Sequence, residues 1–189
     1  MKLGKTLYVT NRKDWRSWLR KNHNKEKEIW LIYYRKASGK QRILYNDAVD
    51  EALCYGWIDS IVKSIDKNKY AQRFTPRRLG SQISEMNKER MHRLIKQKRM
   101  TPNGIRAVEK VFNLSKDKTK KHIVAPDIIK ALKANKLVWK NYQQFSEGYK
   151  KVRIGYIEGY RNRNMEEFEK RLRYFIKMTA KNKKFGMVQ

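Results

Sequence analysis

A dense group of arginine, proline and serine residues is the first candidate for chemistry in this sequence. The segment reads RFTPRRLGS over residues 73–81, and Ser84 follows it. Pro76 restricts the backbone of the residue before it, and serine hydroxyls together with the free amides of a helix start favour an anion. Guanidinium groups bind carboxylates and phosphates through charge-assisted hydrogen bonds. The sequence therefore predicts an anion-binding site made of Arg73, Arg77, Arg78, Ser81 and Ser84.

Asp59 is the acid inside the apolar run that follows Gly56. A carboxylate beside arginines stays ionised, whereas a general base needs a pKa that is raised towards neutrality. We therefore predict that Asp59 is an orienting hydrogen-bond acceptor. The alternative to an anion site is a structural one, in which Arg73 or Arg77 pairs with Asp59 or with Glu85 and locks a strand to a helix.

Metal and cofactor chemistry is not indicated by the sequence. Cys54 is the single cysteine, and its apolar surroundings predict a buried, inert thiol. The histidines His23, His92 and His122 are far apart and lie among basic residues, so we predict no metal site. Acyl-transfer, Walker and dinucleotide motifs are missing from the sequence. We therefore predict no metal and no cofactor, and the sequence leaves catalysis open while favouring a protein that is not an enzyme.

The charge of the chain points to an anionic partner. Lysine and arginine number 47 against 18 aspartate and glutamate residues, which gives a net charge of +29. Such a surplus attracts nucleic acid, anionic lipid or acidic proteins, and salt weakens the attraction. We expect a polyanion, nucleic acid foremost, or else a small anionic ligand. The predicted nucleic-acid contacts are the lysines near the C-terminus, Lys177, Lys181, Lys183 and Lys184.

Alternating patterns and turn residues predict the elements that position these groups. Strand-like runs occupy residues 7–9, 28–36, 57–65 and 69–75, and residues 66–68 supply a hairpin turn. The predicted helix N-caps are Thr10 or Asn11, Asn46, Ser81 or Ser84, Thr101, Ser146 and Asn164. Gly56 stands where a left-handed residue ends a helix.

Beyond Pro76 the helical patterns follow one another. We therefore predict the α+β class, with a small mixed sheet and hairpin in the N-terminal part and a helical C-terminal part. Residues 1–114 would form the α+β core and residues 122–189 the helical region, joined by the charged connector 116–121. The sequence has no secretory signal pattern and no apolar run of the roughly 18–20 residues that span a bilayer, so we expect no membrane span and a cytoplasmic location.

The sequence resembles the YdeI/OmpD-associated proteins, also called bacteriocin-protection proteins. The matching blocks are ALCYGWIDS at 52–60, RFTPRR at 73–78, Asn87 with Glu89-Arg90, and RMTPNG at 99–104. Residues 126–181 resemble the helical C-terminal region of that family. Lys98 stands where the family usually has glycine, and the family's Glu-Thr-Arg run is absent near residues 165–168.

The resemblance implies a mixed α/β N-terminal part and a helical C-terminal part, and it implies no particular reaction. Three functional hypotheses follow. The first is a non-enzymatic polyanion-binding protein, and the second is an enzyme for a small phosphorylated or carboxylated substrate at an Asp/Arg/Ser pocket. The third, which the family label alone implies, is an interaction protein that protects against antimicrobial peptides.

Overall fold

The computed structural model describes residues 3–112 and 123–186 of the chain. These residues fall into two compact units. Residues 3–82 and 90–112 form the first unit, and residues 83–89 and 123–186 form the second. The predicted connector 116–121 and His122 lie outside the described residues. The predicted domain limits at 114 and 122 therefore stay a prediction.

The first unit contains a four-stranded mixed sheet. Its strands are β1 (Thr6–Leu7), β2 (Ile29–Tyr34), β3 (Trp57–Ser64) and β4 (Lys69–Pro76). The strand order is β1-β2-β4-β3, in which β1 runs parallel to β2 and the other neighbours are antiparallel. Asp66 closes the β3–β4 hairpin, because its Oδ1 accepts hydrogen bonds from the amides of Asn68 and Lys69 at 2.7 and 3.0 Å. The predicted small mixed sheet and its hairpin are confirmed.

Helices accompany this sheet, and their ends follow local capping rules only in part. They are α1 (Arg12–Asn22), α2 (Tyr45–Cys54) and α4 (Pro102–Arg106), with a 3-10 turn at Lys36–Ser38. Helix α3 (Glu85–Lys96) begins in residues assigned to the second unit and ends in the first. The Asn11 side chain accepts a hydrogen bond from the Asp14 amide at 3.0 Å, which confirms Asn11 as the cap of α1. Thr101 caps α4 as predicted.

The start of α2 differs from the prediction. Leu44 occupies the N-cap position, and Asn46 lies inside the first turn. The Asn46 side-chain oxygen accepts a hydrogen bond from Arg90 Nη2 at 2.6 Å, so a distant arginine uses the group that capping would have needed. The end of α2 is as predicted, because Gly56 follows it with a φ of +76°.

Tryptophan side chains fill the core of the first unit. Trp15, Trp30, Trp57 and Phe74 are each at most 1% exposed. The Trp15 indole donates a hydrogen bond to the Ala48 carbonyl at 2.9 Å, and its ring centroid lies 5.5 Å from that of Phe74. A single buried indole thus joins α1 to α2 and to β4, and it fixes which face of α1 remains outside.

The second unit is helical, as predicted for the C-terminal part. Its helices are α5 (Pro126–Lys133), α6 (Lys136–Gln144), α7 (Glu147–Glu158) and α8 (Met165–Ala180). Ser146 and Asn164 cap α7 and α8, which confirms both predictions. Aromatic side chains from three of these helices form the core, among them Tyr142, Tyr149, Phe168 and Phe175.

Candidate anion-binding site

The predicted arginine, proline and serine corner connects β4 to α3, and much of it is engaged with its own backbone. Arg77 Nη2 donates to the Ser81 carbonyl at 3.0 Å and also to the Gln82 carbonyl. Ser81 Oγ donates to the Arg78 carbonyl at 2.7 Å. Burial lowers the pKa of Arg77. Arg77 and Ser81 therefore close this loop.

Arg78 and Ser84 have different surroundings within this segment. Arg78 is exposed, and no residue in the described ranges accepts a hydrogen bond from its guanidinium. Ser84 Oγ accepts a hydrogen bond from the Asn87 amide at 3.3 Å, as the cap of α3. The corner thus leaves Arg78 as the cation that is free to meet an anion from outside.

Arg73 and Asp59 each have a partner that the sequence did not indicate. Arg73 Nη2 lies 2.5 Å from Glu28 Oε2, and this pair lowers the pKa of Glu28. Asp59 Oδ2 accepts a hydrogen bond from the Tyr45 hydroxyl at 2.7 Å. Burial, followed by this hydrogen bond, raises the pKa of Tyr45. Asp59 is thus a hydrogen-bond acceptor. The alternative in which Arg73 pairs with Asp59 is wrong, because Arg73 pairs with Glu28 instead.

The predicted nucleic-acid contacts lie at and beyond the end of α8. Lys177 occupies the last turn, Lys181 is the C-cap, and Lys183 and Lys184 follow; all four are exposed. Lys184 Nζ lies 5.9 Å from the centroid of the Tyr149 ring. Their position complements the negative end of the helix dipole and leaves their charges in solvent.

A buried group of acids in α2 is the feature that sequence reasoning missed. Asp50 and Glu51 have side chains that are only 3% and 0% exposed. We use the name acid–arginine cluster for these two acids, Asp47, and the arginines that contact them: Arg12, Arg16, Arg90, Arg93 and Arg99. All of its members belong to the first unit.

Each buried carboxylate is fully engaged by guanidinium groups. Asp50 Oδ1 lies 2.8 Å from Arg90 Nη1, and Asp50 Oδ2 lies 2.8 Å from Arg93 Nη2. Glu51 Oε2 lies 2.6 Å from Arg16 Nη1. Charges this deep are tolerated only when they are paired and hydrogen-bonded.

The other oxygen of Glu51 is shared between two arginines. Glu51 Oε1 accepts from Arg12 Nε at 2.6 Å and also from Arg99 Nη2. Burial alone would lower the pKa of Arg12 and of Arg16, but hydrogen bonds and charge interactions with Glu51 raise both. Five guanidinium groups against three carboxylates leave the cluster with a charge of +2.

A basic groove runs along the outer face of α1, next to this cluster. Lys13, Arg16, Ser17 and Arg20 stand three or four positions apart, a spacing that places them on one side of the helix. With Tyr55 and Asp14 they line a groove of about 280 Å³, which we call the basic groove.

The electrostatics of the basic groove are dominated by its cations. The Asp14 carboxylate accepts a hydrogen bond from Asn11 at 2.7 Å, and the Arg16 guanidinium lies 5.4 Å from the centroid of the Tyr55 ring. Lys13 and Arg20 are exposed, and neither forms an ion pair with a residue in the described ranges. Two free cations, a serine hydroxyl and an aromatic ring therefore face the same open space.

One signal in the sequence could have revealed the cluster. Asp50 and Glu51 interrupt an otherwise apolar stretch of α2 in a chain that has only 18 acids. Acids at buried helical positions require cationic partners. The identity of those partners was not available locally, because Arg90 and Arg99 lie 40 and 48 residues further along the chain from Asp50 and Glu51.

The groups that commonly carry catalysis are engaged elsewhere. Cys54 is buried, as predicted, and burial first, then the charge of Glu51, raises its pKa to about 11. His23 Nδ1 lies 2.9 Å from the Leu19 carbonyl, and the His92 ring packs against Phe112. Across residues 3–112 and 123–186, no three His, Cys, Asp or Glu side chains gather as metal ligands would. In the same ranges, no helix combines the length and apolar character of a membrane span.

Comparison with known proteins places both parts of the chain in families. Residues 7–107, more than half of the chain, match the model described as Domain of unknown function (DUF8412). Residues 121–182 match the model described as Bacteriocin-protection, YdeI or OmpD-Associated. A search of curated proteins and a search of solved structures each found no match.

The two matches also locate the resemblance noted in the sequence. The match to the YdeI/OmpD-associated model covers the region 126–181. The four sequence blocks between residues 52 and 104 lie inside the DUF8412 match. The chain therefore belongs to the DUF8412 family through residues 7–107, and it carries a YdeI/OmpD-associated, bacteriocin-protection domain at residues 121–182.

Proposed function

We propose that this protein binds a polyanion, nucleic acid foremost, and that it does so without catalysing a reaction. The basic groove on α1 is the observation that carries the proposal, because it combines free cations with a hydroxyl and an aromatic ring. Lysine and arginine bind phosphates without regard to base sequence, and aromatic rings stack on unpaired bases. Single-stranded RNA or DNA suits this combination of groups.

The acid–arginine cluster strengthens the field outside the groove. Asp50 and Glu51 are buried, so two of the 18 acids of the chain lie below the surface and within an excess of arginine. The cluster as a whole keeps a net charge of +2, which adds to the positive field of the groove. A field of this kind raises the local concentration of anions and accelerates their association.

Each unit also carries further exposed cations. Arg78 is exposed at the corner after β4, and Lys177, Lys181, Lys183 and Lys184 are exposed at the end of α8. We assign them sequence-independent phosphate contacts, which fix the strand without reading its bases.

Two paired substitutions test this proposal. We expect Lys13→Gln with Arg20→Gln to weaken binding of a labelled single-stranded RNA by about tenfold or more at roughly 100 mM salt, because two phosphate contacts are lost. Fluorescence anisotropy gives the dissociation constants. The matched control is Lys36→Gln with Lys67→Gln, which removes the same charge from the exposed 3-10 turn and the exposed hairpin tip. It should weaken binding less than about threefold.

Two results would contradict the proposal. If the wild-type protein retains neither RNA nor DNA in dilute buffer, polyanion binding is wrong. If both double variants lose affinity equally, the basic groove has no special part in it.

A further inference from the structure

Across residues 3–112 and 123–186, a buried arginine in the second unit has no carboxylate partner for its charge. Arg153 lies on α7 and is only 4% exposed. Its guanidinium carbon lies 5.0 Å from the ring centroid of Phe185, 5.6 Å from that of Tyr156 and 5.8 Å from that of Tyr149. Aromatic faces attract a cation, but they offer no oxygen to its N–H donors.

No carboxylate in the described ranges forms an ion pair with Arg153, and its Nε has no hydrogen-bond acceptor there. Burial lowers the pKa of this guanidinium, which nevertheless keeps its proton at neutral pH. Buried charges in folded proteins are normally paired or hydrogen-bonded. Within the described ranges, the Arg153 guanidinium therefore has no anion paired with it.

Arg153 lines a cavity of about 390 Å³ whose other walls are mainly apolar. Tyr156, Tyr174, Phe175 and Phe185 contribute their rings to it. A cavity of this size and apolar character, with a few polar groups at one place, is typical of sites for small organic molecules.

Arg153 is the buried cation of the cavity, whereas Lys170, which also lines it, is exposed and lies 3.7 Å from Glu167 Oε2. Arg171 also lines the cavity, but its guanidinium stacks at 3.7 and 3.6 Å from the centroids of Tyr156 and Tyr160. Its Nε donates to Glu167 at 2.8 Å. Arg171 is thus held as part of the wall, and Glu167, the acid in the lining, is already engaged by it.

The segment after α8 shapes the mouth of the cavity beside Arg153. The Phe185 amide donates a hydrogen bond to the Tyr149 hydroxyl at 3.2 Å. Gly186 has a φ of +79°, and a Cβ atom there would lie 2.6 Å from Arg153 Nη1. The backbone therefore approaches the guanidinium as closely as glycine allows, and a side chain at residue 186 would displace it.

We propose that this cavity binds a small organic anion, with one carboxylate or phosphate on Arg153 and an aromatic or aliphatic body among the rings. The oxygens of that anion would accept bidentate hydrogen bonds from the guanidinium and so supply the missing acceptors. This site is separate from the basic groove, and it does not depend on the polyanion proposal.

Isothermal titration calorimetry with 1-naphthoate and with decanoate tests this assignment on the full chain. The two probes separate an aromatic from an aliphatic body, and the uncharged 1-naphthalenemethanol and decanol serve as controls. We expect at least one anion to bind, and Arg153→Met to weaken it about ten- to hundredfold, as the loss of hydrogen bonds to a charged group does. Binding of the matching alcohol should change less than about twofold.

Gly186→Ala is a second variant, which retains the arginine. It keeps the proposal testable if Arg153→Met fails to fold. Gly186→Ala should raise the dissociation constant of the same anion by about fivefold or more, because the added methyl group displaces the guanidinium. The proposal is overturned if neither anion binds at about 5 mM. It is equally overturned if a folded Arg153→Met variant, judged by circular dichroism, binds the anion as tightly as the wild type.

Discussion

Replacing Glu51 by glutamine is expected to lower the free energy of unfolding by about 3–5 kcal/mol, the usual cost of removing one partner from a buried ion pair. Its side chain is 0% exposed and contacts three arginines, which would then face one another without a charge between them. Neighbouring Asp50 cannot compensate, because Arg90 and Arg93 already occupy it.

Urea unfolding followed by tryptophan fluorescence measures this loss. Glu26→Gln is the matched control, since Glu26 pairs with the exposed Lys5 at the surface. An exposed pair contributes about 0–1 kcal/mol, so the control should remain close to the wild type. A loss below about 1 kcal/mol for Glu51→Gln would show that the cluster does not stabilise the fold as described.

Trp15→Ala should lower the free energy of unfolding by about 3–5 kcal/mol, the range for deleting a large buried aromatic side chain. The Trp15 indole is 0% exposed and bridges α1, α2 and β4. Because α1 carries the basic groove, binding of RNA should weaken together with stability.

Trp15→Phe separates the contribution of the indole hydrogen bond from that of aromatic packing. It keeps an aromatic ring in the core and removes the N–H that donates to the Ala48 carbonyl. We expect a loss of about 1–3 kcal/mol by thermal and urea unfolding. If Trp15→Ala were as stable as the wild type, α1 could not be anchored through this indole.

Local rules were sufficient for the parts of the fold that depend on neighbouring residues. Asn11, Ser146 and Asn164 each accept a hydrogen bond from an amide three positions later, so a cap can be recognised from a short window. The Asp66 turn of the hairpin is equally local.

Features that depend on distant residues could not be predicted in this way. Asn46 has the side chain of a cap, yet Arg90 uses it from 44 positions away. Arg73 was predicted to belong to an anion-binding site, whereas its guanidinium donates to the Glu28 carboxylate, 45 residues away in the sequence. Sequence spacing indicates which groups seek a charge, and only the packed structure shows which charge they reach.

In the candidate site too, some features could be predicted from the sequence and others depend on the tertiary structure. The surplus of cations was evident from composition, whereas the removal of Asp50 and Glu51 from the surface required the tertiary arrangement of three helices. The predicted corner at Arg77 and Ser81 proved to be closed on its own backbone. The groove on α1 is therefore a better candidate than the corner from which the sequence argument started.

The salt dependence of RNA binding tests the central claim most directly. If Lys13 and Arg20 contact phosphates of a single strand, the logarithm of the association constant should fall linearly with the logarithm of salt concentration, with a slope of about −1.4 or steeper. Anisotropy titrations between about 50 and 200 mM salt would give this slope. A slope near zero, or no binding at the lowest salt, would contradict the claim that this protein binds polyanions.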